Sequence, residues 1–411
     1  MVEFDGFKFI DGGICAAKGF SASGINGHIK ANSQKNDIGM IYCTEKCKAA
    51  ALYTTNKVKG APITVTKAHL ADGMAQAVIV NSGNANTCND NGIEIAEGAC
   101  KLTAQALGIS ENDVIVASTG VIGQKMSLEP FEKNIPILAK QLSEQGSDEC
   151  CTAIMTTDTR KKQFAVEFDI DGVTCHIGGI SKGSGMINPN MATMLAFITT
   201  DVKISSELLK KALVGVNADT YNMVSVDGDT STNDMVTVLS SGLAGNAEIT
   251  EENAAYEKFA EALYVIMMNL ARETARDGEG ATKLIECVVK GAPSVETAKI
   301  VAKTVISSSL LKAALFAADA NWGRILCAIG YSDAEFDISK VSVDLSSVNG
   351  YVTVCENGAG VDFSENEAHN ILSAGEITIL IDLHEEGENA AIAWGCDLTY
   401  EYVKINAEYR S

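Results

Sequence analysis

A layered α/β fold is the expectation from this sequence, and two observations carry it. Short apolar runs of strand length alternate along the chain with segments spaced like helices, which is the pattern of strands packed against covering helices. Composition agrees: of 411 residues, 46% are hydrophobic and 21% charged, as in a globular protein, and no low-complexity tract or repeat interrupts them. A chain of this length can bury one large core or two to three smaller ones.

The elements follow in order. Ala77-Val78-Ile79-Val80 is an apolar strand ending in the polar turn Asn81–Asn86, and Ile93–Leu107 is helix-like and closed by Gly108. Val114-Ile115-Val116 reads as a strand running into Ser118-Thr119-Gly120. Phe164–Ile170 and Val173–Ile177 alternate about Asp171-Gly172, a strong hairpin signal. Helices are expected over Ser205–Val216, over Ala254–Arg276 with Phe259, Leu263, Ile266 and Leu270 on one face, and over Lys299–Ala318. Strands return at Ile285–Val289, Tyr351–Cys355, Ile377–Leu383, Ala391–Trp394 and Thr399–Ile405.

Charge narrows the function classes. Lys plus Arg of 32 against Asp plus Glu of 53 leaves −21, a poor balance for nucleic acid or an anionic membrane surface. No apolar stretch reaches the roughly 18 residues of a membrane span, and the first residues are acidic without an apolar signal core, so a cytoplasmic protein is expected. Twelve cysteines in that compartment are expected as thiols, and neither Cys43/Cys47 nor Cys150/Cys151 has the second pair or clustered histidine of a zinc site. The five histidines are scattered. His176, the one nearest the loop described next, reads as a strand residue in Val173-Thr174-Cys175-His176-Ile177.

The most informative segment is Asn188-Pro189-Asn190-Met191-Ala192-Thr193-Met194-Leu195, approached through Gly178-Gly179-Ile180-Ser181-Lys182-Gly183-Ser184-Gly185. A threonine after a small residue, between a flexible approach and an apolar run, suits a chain that cuts itself. The Thr193 hydroxyl would attack the Ala192 carbonyl and leave Thr193 as a new N-terminus, whose freed α-amine, with a reference pKa of about 8, can serve as its own base. Taken alone, the segment also reads as an ordinary loop entering a buried strand.

Resemblance bears on that choice. The segment, together with Asn81-Ser82-Gly83-Asn84-Ala85-Asn86, Ser118-Thr119-Gly120-Val121-Ile122-Gly123, Ile154-Met155-Thr156-Thr157-Asp158-Thr159, Asp227-Gly228-Asp229-Thr230-Ser231-Thr232-Asn233-Asp234, Asp277-Gly278-Glu279-Gly280-Ala281-Thr282 and Asn321-Trp322-Gly323-Arg324, resembles in order the ornithine acetyltransferase (glutamate N-acetyltransferase) family of arginine biosynthesis. The resemblance implies an αββα-type sandwich like that of the N-terminal-nucleophile hydrolases, with an additional smaller α/β region. It implies cleavage between Ala192 and Thr193 into fragments 1–192 and 193–411, assembled as an α2β2 heterotetramer. Thr193 is then the nucleophile, and Thr119 and Gly120 the donors to a tetrahedral oxyanion. Thr156 (or its neighbour Thr157), Lys182, Glu279, Asn406 and Ser411 match substrate-contacting positions. The family more often ends in threonine, so Ser411 keeps the hydroxyl and loses a methyl.

On charge, Lys182 suits the α-carboxylate of N-acetylornithine and Glu279 its δ-ammonium, while on the residues alone either reads equally as a solvated loop charge. The implied cycle is ping-pong, with acetyl passing from N-acetylornithine to Thr193 and then to glutamate. No cofactor is required, and acetyl-CoA is a second donor in some members of the family. Two other classes compete on the residues alone, a self-cleaving amide hydrolase or aminopeptidase of related fold and a non-enzymatic amino-acid-binding protein with Ala192-Thr193 intact.

Overall fold

A computed structural model of the protein describes residues 1–30, 33–188 and 194–408. Ala192, Thr193 and Ser411 therefore lie outside the described residues. In chain order the elements are β1 (Lys8–Phe9), β2 (Phe20–Ile25), β3 (Ile38–Tyr53), α1 (Ala61–His69), β4 (Met74–Asn81), α2 (Gly92–Leu107), β5 (Val114–Ser118), α3 (Glu129–Gln141) and α4 (Ser147–Ile154). They continue with β6 (Lys162–Ile170), β7 (Val173–Lys182), β8 (Leu195–Thr200), α5 (Ser206–Asp219), β9 (Val224–Ser225), β10 (Met235–Ser240), α6 (Ala254–Arg276) and β11 (Leu284–Ala292). The last are α7 (Val295–Ser307), α8 (Ser309–Phe316), α9 (Trp322–Gly330), β12 (Ser342–Ser347), β13 (Gly350–Glu356), β14 (Ala359–Gly360), α10 (Glu365–Leu372), β15 (Glu376–Asp382), β16 (Asn389–Cys396) and α11 (Tyr400–Ala407).

The chain forms two compact units, and the α/β class expected from sequence holds in both. Unit 1 takes residues 1–183, 190–221 and 230–270; unit 2 takes 184–189, 222–229 and 271–411.

Unit 1 is built on one sheet in the order β1-β6-β7-β8-β10-β3-β4-β5, with β2 on β3. Its shape follows from β3. The first part of this strand pairs with β2 and β4, the last part pairs with β10, and the register slips between Tyr42 and Cys47. A bulge there bends the strand, so that the two halves of the sheet face each other. Val78 and Ile115 from one half share a core with Ile180, Phe197 and Leu239 from the other, and α4 adds Cys150, Cys151 and Ile154. The outer face of the first half, at Ile38, Met40 and Ile79, is covered by Ile95 and Ala99 of α2 and by Phe131, Ile135 and Leu138 of α3. Beyond the second half lies α6, whose Ile266 and Leu270 come within van der Waals reach of Gly179. The order helix, sheet, sheet, helix is the αββα arrangement expected of unit 1.

The apolar stripe of α6 works as its spacing predicts. Phe259, Leu263, Ile266 and Leu270 are fully buried, each stabilising the layer by roughly 1.5–3 kcal/mol. The hairpin turn is also where it was expected. Asp171 and Gly172 both have positive φ, at 53° and 82°, and they register all nine pairs from Lys162↔Ser181 to Ile170↔Val173. β8 lies inside the sheet, antiparallel to β7 and parallel to β10, and all six of its residues are buried. Both expected fragments thus contribute to one sheet, β7 from before residue 192 and β8 from after it.

Unit 2 has a sheet in the order β14-β13-β12-β15-β11-β16-β9. Two expectations fail in it. The segment Lys299–Ala318 is two helices, because Ser308 leaves helical geometry (ψ 104°) and its side chain caps α8 by accepting from the Leu311 N–H. Thr399–Ile405 is helix rather than strand: Tyr400 and Val403 are 83% and 67% exposed, while Tyr402 and Asn406, four residues apart on one face, make the hydrogen bonds described below. The β-formers are spread round the helix, and only the face of Tyr402 and Asn406 carries these contacts. No helix among the described residues is long and apolar enough to cross a membrane.

Candidate active site

In unit 1, the turn after β5 is held from several sides. The Asn81 carboxamide donates to the Ser118 hydroxyl (2.7 Å) and accepts from the N–H groups of Gly83 and Asn84, and the Thr119 N–H donates to the Asn81 carbonyl. Asn233 donates to the carbonyls of Ala85 and Ser118 and accepts from the hydroxyls of Thr87 and Thr232, tying three segments to the base of the turn. Gly120 has φ 124°, and a Cβ there would lie 2.8 Å from the Gly83 carbonyl carbon. Only glycine satisfies both constraints. The Thr119 hydroxyl is half-buried, and the Gly120 N–H has no acceptor among the described residues. A hydroxyl and an N–H at one rigid bend can receive an oxyanion without reorganising.

Lys182 meets this turn. It is the last residue of β7, only 7% exposed, so it is a buried strand-end cation and not the loop charge that its glycine-rich surroundings suggested. Its Nζ lies 3.3 Å from the Thr119 hydroxyl oxygen, which accepts from it. Behind it sits Asp158, whose side chain is fully buried. One carboxylate oxygen accepts from Lys162 Nζ at 2.6 Å and from the Gly183 N–H at 2.7 Å; the other accepts from the Thr156 N–H at 2.9 Å. Burial opposes ionisation of Asp158, but the cations of Lys162 and Lys182 and the Gly183 N–H outweigh it and hold the carboxyl well below the usual carboxylate range. Asp158 therefore positions Thr156 and the strand end carrying Lys182 together. Lys30 adds a third lysine, donating to the Met155 carbonyl and the Ser82 hydroxyl; burial pushes it down to about 8, with Lys182 reinforcing the shift and Asp37 opposing it. The expected Thr119, Gly120, Thr156 and Lys182 are brought together here.

Asp234 immediately precedes β10, which pairs with β8 from Met235↔Leu195 onward, and the Met235 N–H donates to the Met194 carbonyl. Burial raises its carboxyl well above the usual range against the weaker pull of Ser231, Lys182 and Thr54.

In unit 2, Glu279 and Asn406 meet: the Asn406 carboxamide donates to the Glu279 carboxylate at 2.7 Å. Glu279 is 8% exposed, and its N–H donates to the Ser184 carbonyl. A Cβ on Gly185 would lie 2.4 Å from the Glu279 carboxylate, so a glycine there is what lets the acid lie against the backbone. No Lys or Arg forms an ion pair with Glu279 among the described residues. Asp227 and Tyr402 complete the cluster, the phenol donating to the Asp227 carboxylate at 3.1 Å.

Sequence reasoning identified Thr119, Gly120, Thr156, Lys182, Glu279 and Asn406 and left Asp158, Asp227 and Asn233 as parts of patterns without roles. Lys30 and Tyr402 it did not single out. For Asp158 a local signal existed, a lysine at i+4; for Asp227, Asn233 and Tyr402 the partners are remote in sequence and no local signal could have found them.

A buried cation beside a hydroxyl, on the sheet of an αββα layer, is an arrangement that suits an enzyme handling acyl groups. The chain belongs to the ArgJ family, whose model matches residues 21–411. The arginine biosynthesis bifunctional protein ArgJ of Caldanaerobacter subterraneus subsp. tengcongensis is 46% identical over 405 residues, 98% of this chain and 100% of the relative. That of Symbiobacterium thermophilum is 47% identical over 406 residues, with the same coverage of both chains. The crystal structure of arginine biosynthesis bifunctional protein argJ from Bacillus halodurans, 46% identical, matches 53% of this chain and 100% of its own with a TM-score of 0.50.

Proposed function

We propose that this protein is a glutamate N-acetyltransferase of arginine biosynthesis that carries acetyl from N2-acetylornithine to glutamate on Thr193. The observation that supports the reading is the contact of Lys182 with Thr119, next to Gly120 in its left-handed bend, in a chain of the ArgJ family. In self-processing, the Thr193 hydroxyl oxygen attacks the Ala192 carbonyl carbon and the C–N bond breaks. Water then hydrolyses the resulting ester to an Ala192 carboxylate and a Thr193 with free hydroxyl and α-amine.

In turnover the same hydroxyl attacks the acetamide carbon of N-acetylornithine, its proton passing to the Thr193 amine. Thr119 and Gly120 donate to the oxyanion, the C–N bond breaks, and ornithine leaves after taking the proton on its amine. The amine of glutamate then attacks the acetyl-threonine ester, N-acetylglutamate departs, and the hydroxyl is restored. Lys182 attracts the α-carboxylate common to donor and acceptor. Glu279, a buried carboxylate with hydrogen-bond donors but no ion-paired cation among the described residues, suits the δ-ammonium of the donor, since a buried charge is costly until it is paired. Thr156, Asn406 and the C-terminal Ser411 complete the contacts by resemblance.

The steps need no metal or organic cofactor. Acetyl-CoA as a further donor fits relatives named bifunctional, and we assign the enzyme to the cytoplasm as an α2β2 assembly of its two fragments. Two measurements test the reading. Purified protein should run as two fragments on a denaturing gel, and Thr193→Ala as one inactive chain of 43.3 kDa; equal cleavage in the mutant removes Thr193 from the mechanism. With N-acetylornithine and glutamate the enzyme should form ornithine and N-acetylglutamate in equal amounts. Free acetate formed at the same rate without glutamate would make it a hydrolase.

A further inference from the structure

The backbone five to six residues ahead of the expected scissile bond is held in an unusual way. Met186 has φ 55°, the left-handed region that a residue with a long side chain adopts only at a cost of roughly 1–2 kcal/mol. Compensation comes from one side chain. The two Asp227 oxygens accept from successive N–H groups of the loop, Oδ2 from Met186 at 2.7 Å and Oδ1 from Ile187 at 3.0 Å. The Val226 N–H donates to the Ile187 carbonyl (2.7 Å), and the Asn188 carboxamide to the Gly228 carbonyl (3.2 Å), so residues 186–188 are pinned along 226–228.

Asp227 is itself held from the end of the chain. Tyr402, on α11, donates its phenolic proton to Asp227 Oδ2 at 3.1 Å across 175 residues of sequence. Four residues on, Asn406 donates to Glu279, whose N–H donates to the Ser184 carbonyl. One helix face therefore braces the loop at two points, 184 and 186–187. Tyr402 is half-buried, its phenol pushed up by burial and by the Asp227 charge, so it serves as a donor across the physiological range.

We infer that Asp227 and Tyr402 are positioning residues for scission of the Ala192–Thr193 bond, so that scission depends on α11 being docked against Asp227. This rests on the self-cleavage reading above and adds a condition to it: the strained approach to the bond is set only when Asp227 holds Met186 and Ile187, and Tyr402 orients Asp227. A bond whose carbonyl must meet a hydroxyl in a narrow range of geometry is sensitive to a small displacement of its approach.

The test is the rate at which newly made full-length chain converts to two fragments, followed by pulse-labelled translation and denaturing gels. Asp227→Asn keeps the shape but loses one acceptor oxygen, and it should slow conversion by ~10-fold or more; Tyr402→Phe should slow it by about threefold. Both variants should melt within a few degrees of the wild-type protein, because a residue with only a structural role would lower the melting temperature and leave the cleavage rate of folded chain alone. A folded Asp227→Asn or Tyr402→Phe that cleaves at the wild-type rate overturns the inference; if Asp227→Asn does not fold, Tyr402→Phe, which removes one hydroxyl, decides alone. Wild-type chain that stays intact, or Thr193→Ala that cleaves, overturns the self-cleavage reading instead.

Discussion

The two clusters handle buried carboxylates in opposite ways. In unit 1, Asp158 is met by Lys162 and lies in the field of Lys182, with the backbone N–H groups of Thr156 and Gly183 filling its remaining lone pairs. Lysines outnumber ionised acids there, and the local balance is positive. In unit 2, Glu279 and Asp227 are met by amide and phenol donors alone, and no lysine or arginine pairs with them among the described residues. Hydrogen bonds orient those carboxylates without neutralising them, so the local balance is negative. The difference teaches that burial alone does not assign a role: Asp158, met by cations, and Asp227, met by loop N–H groups and a phenol, both organise structure, whereas Glu279, with one side-chain donor, suits a cationic ligand.

The contrast breaks most readily at the charges themselves. Lys182→Met should lower kcat/KM for every donor and for glutamate, because all carry an α-carboxylate. Glu279→Gln should fall hardest on N-acetylornithine and lightly on an acetylated amino acid with an uncharged side chain. Each loss should amount to roughly 2–5 kcal/mol on the substrate affected. A uniform loss across donors for Glu279→Gln would make Glu279 an organising residue like Asp158 and erase the distinction.

Next in size is the turn. Thr119→Val, which removes the hydroxyl and leaves the Gly120 bend, should lower kcat by a factor on the order of 10², with a smaller effect on KM, because the donor acts where charge develops. An unchanged kcat would reduce Thr119 to a partner of Lys182.

The smallest expected effect concerns stability. Asp158 has its carboxyl held low in the folded protein, so its contribution is fully present above the unfolded value of about 4 and is lost as pH falls through the lower folded value. Asp158→Asn should therefore lower the melting temperature near neutral pH, and the gap to wild type should close on acidification. A gap that widens in acid would show that the neutral form is the one folding prefers. Asp234 gives the opposite sign: its raised carboxyl makes wild type lose stability as pH rises above about 4, and Asp234→Asn should flatten that decline.

Much of this was legible in the chain. The period of Phe259, Leu263, Ile266 and Leu270 located a buried helix, Asp171-Gly172 located a hairpin, and the motifs around Thr119, Lys182 and Glu279 located the candidate residues. Where the reading failed, local preference met a distant partner. Thr399–Ile405 has the residues of a strand, yet Asp227 and Glu279 offer acceptors to positions 402 and 406, which a helix sets about 6 Å apart along its axis and a strand about 13 Å. Lys299–Ala318 has continuous helical spacing, yet Ser308 turns its side chain to a cap and divides it.

By itself the sequence determined the α/β alternation, the periods of most of its strands and helices, the Asp171-Gly172 hairpin turn and the family motifs, because each is written in spacings of a few residues. Tertiary structure alone decided which charges survive burial. Asp158 lies 25 residues from the Gly183 N–H it accepts from, Glu279 lies 127 from Asn406, and Asp227 lies 175 from Tyr402. The free energy of a buried carboxylate depends on the donors and cations within a few ångströms of it, and only the folded chain brings those groups there.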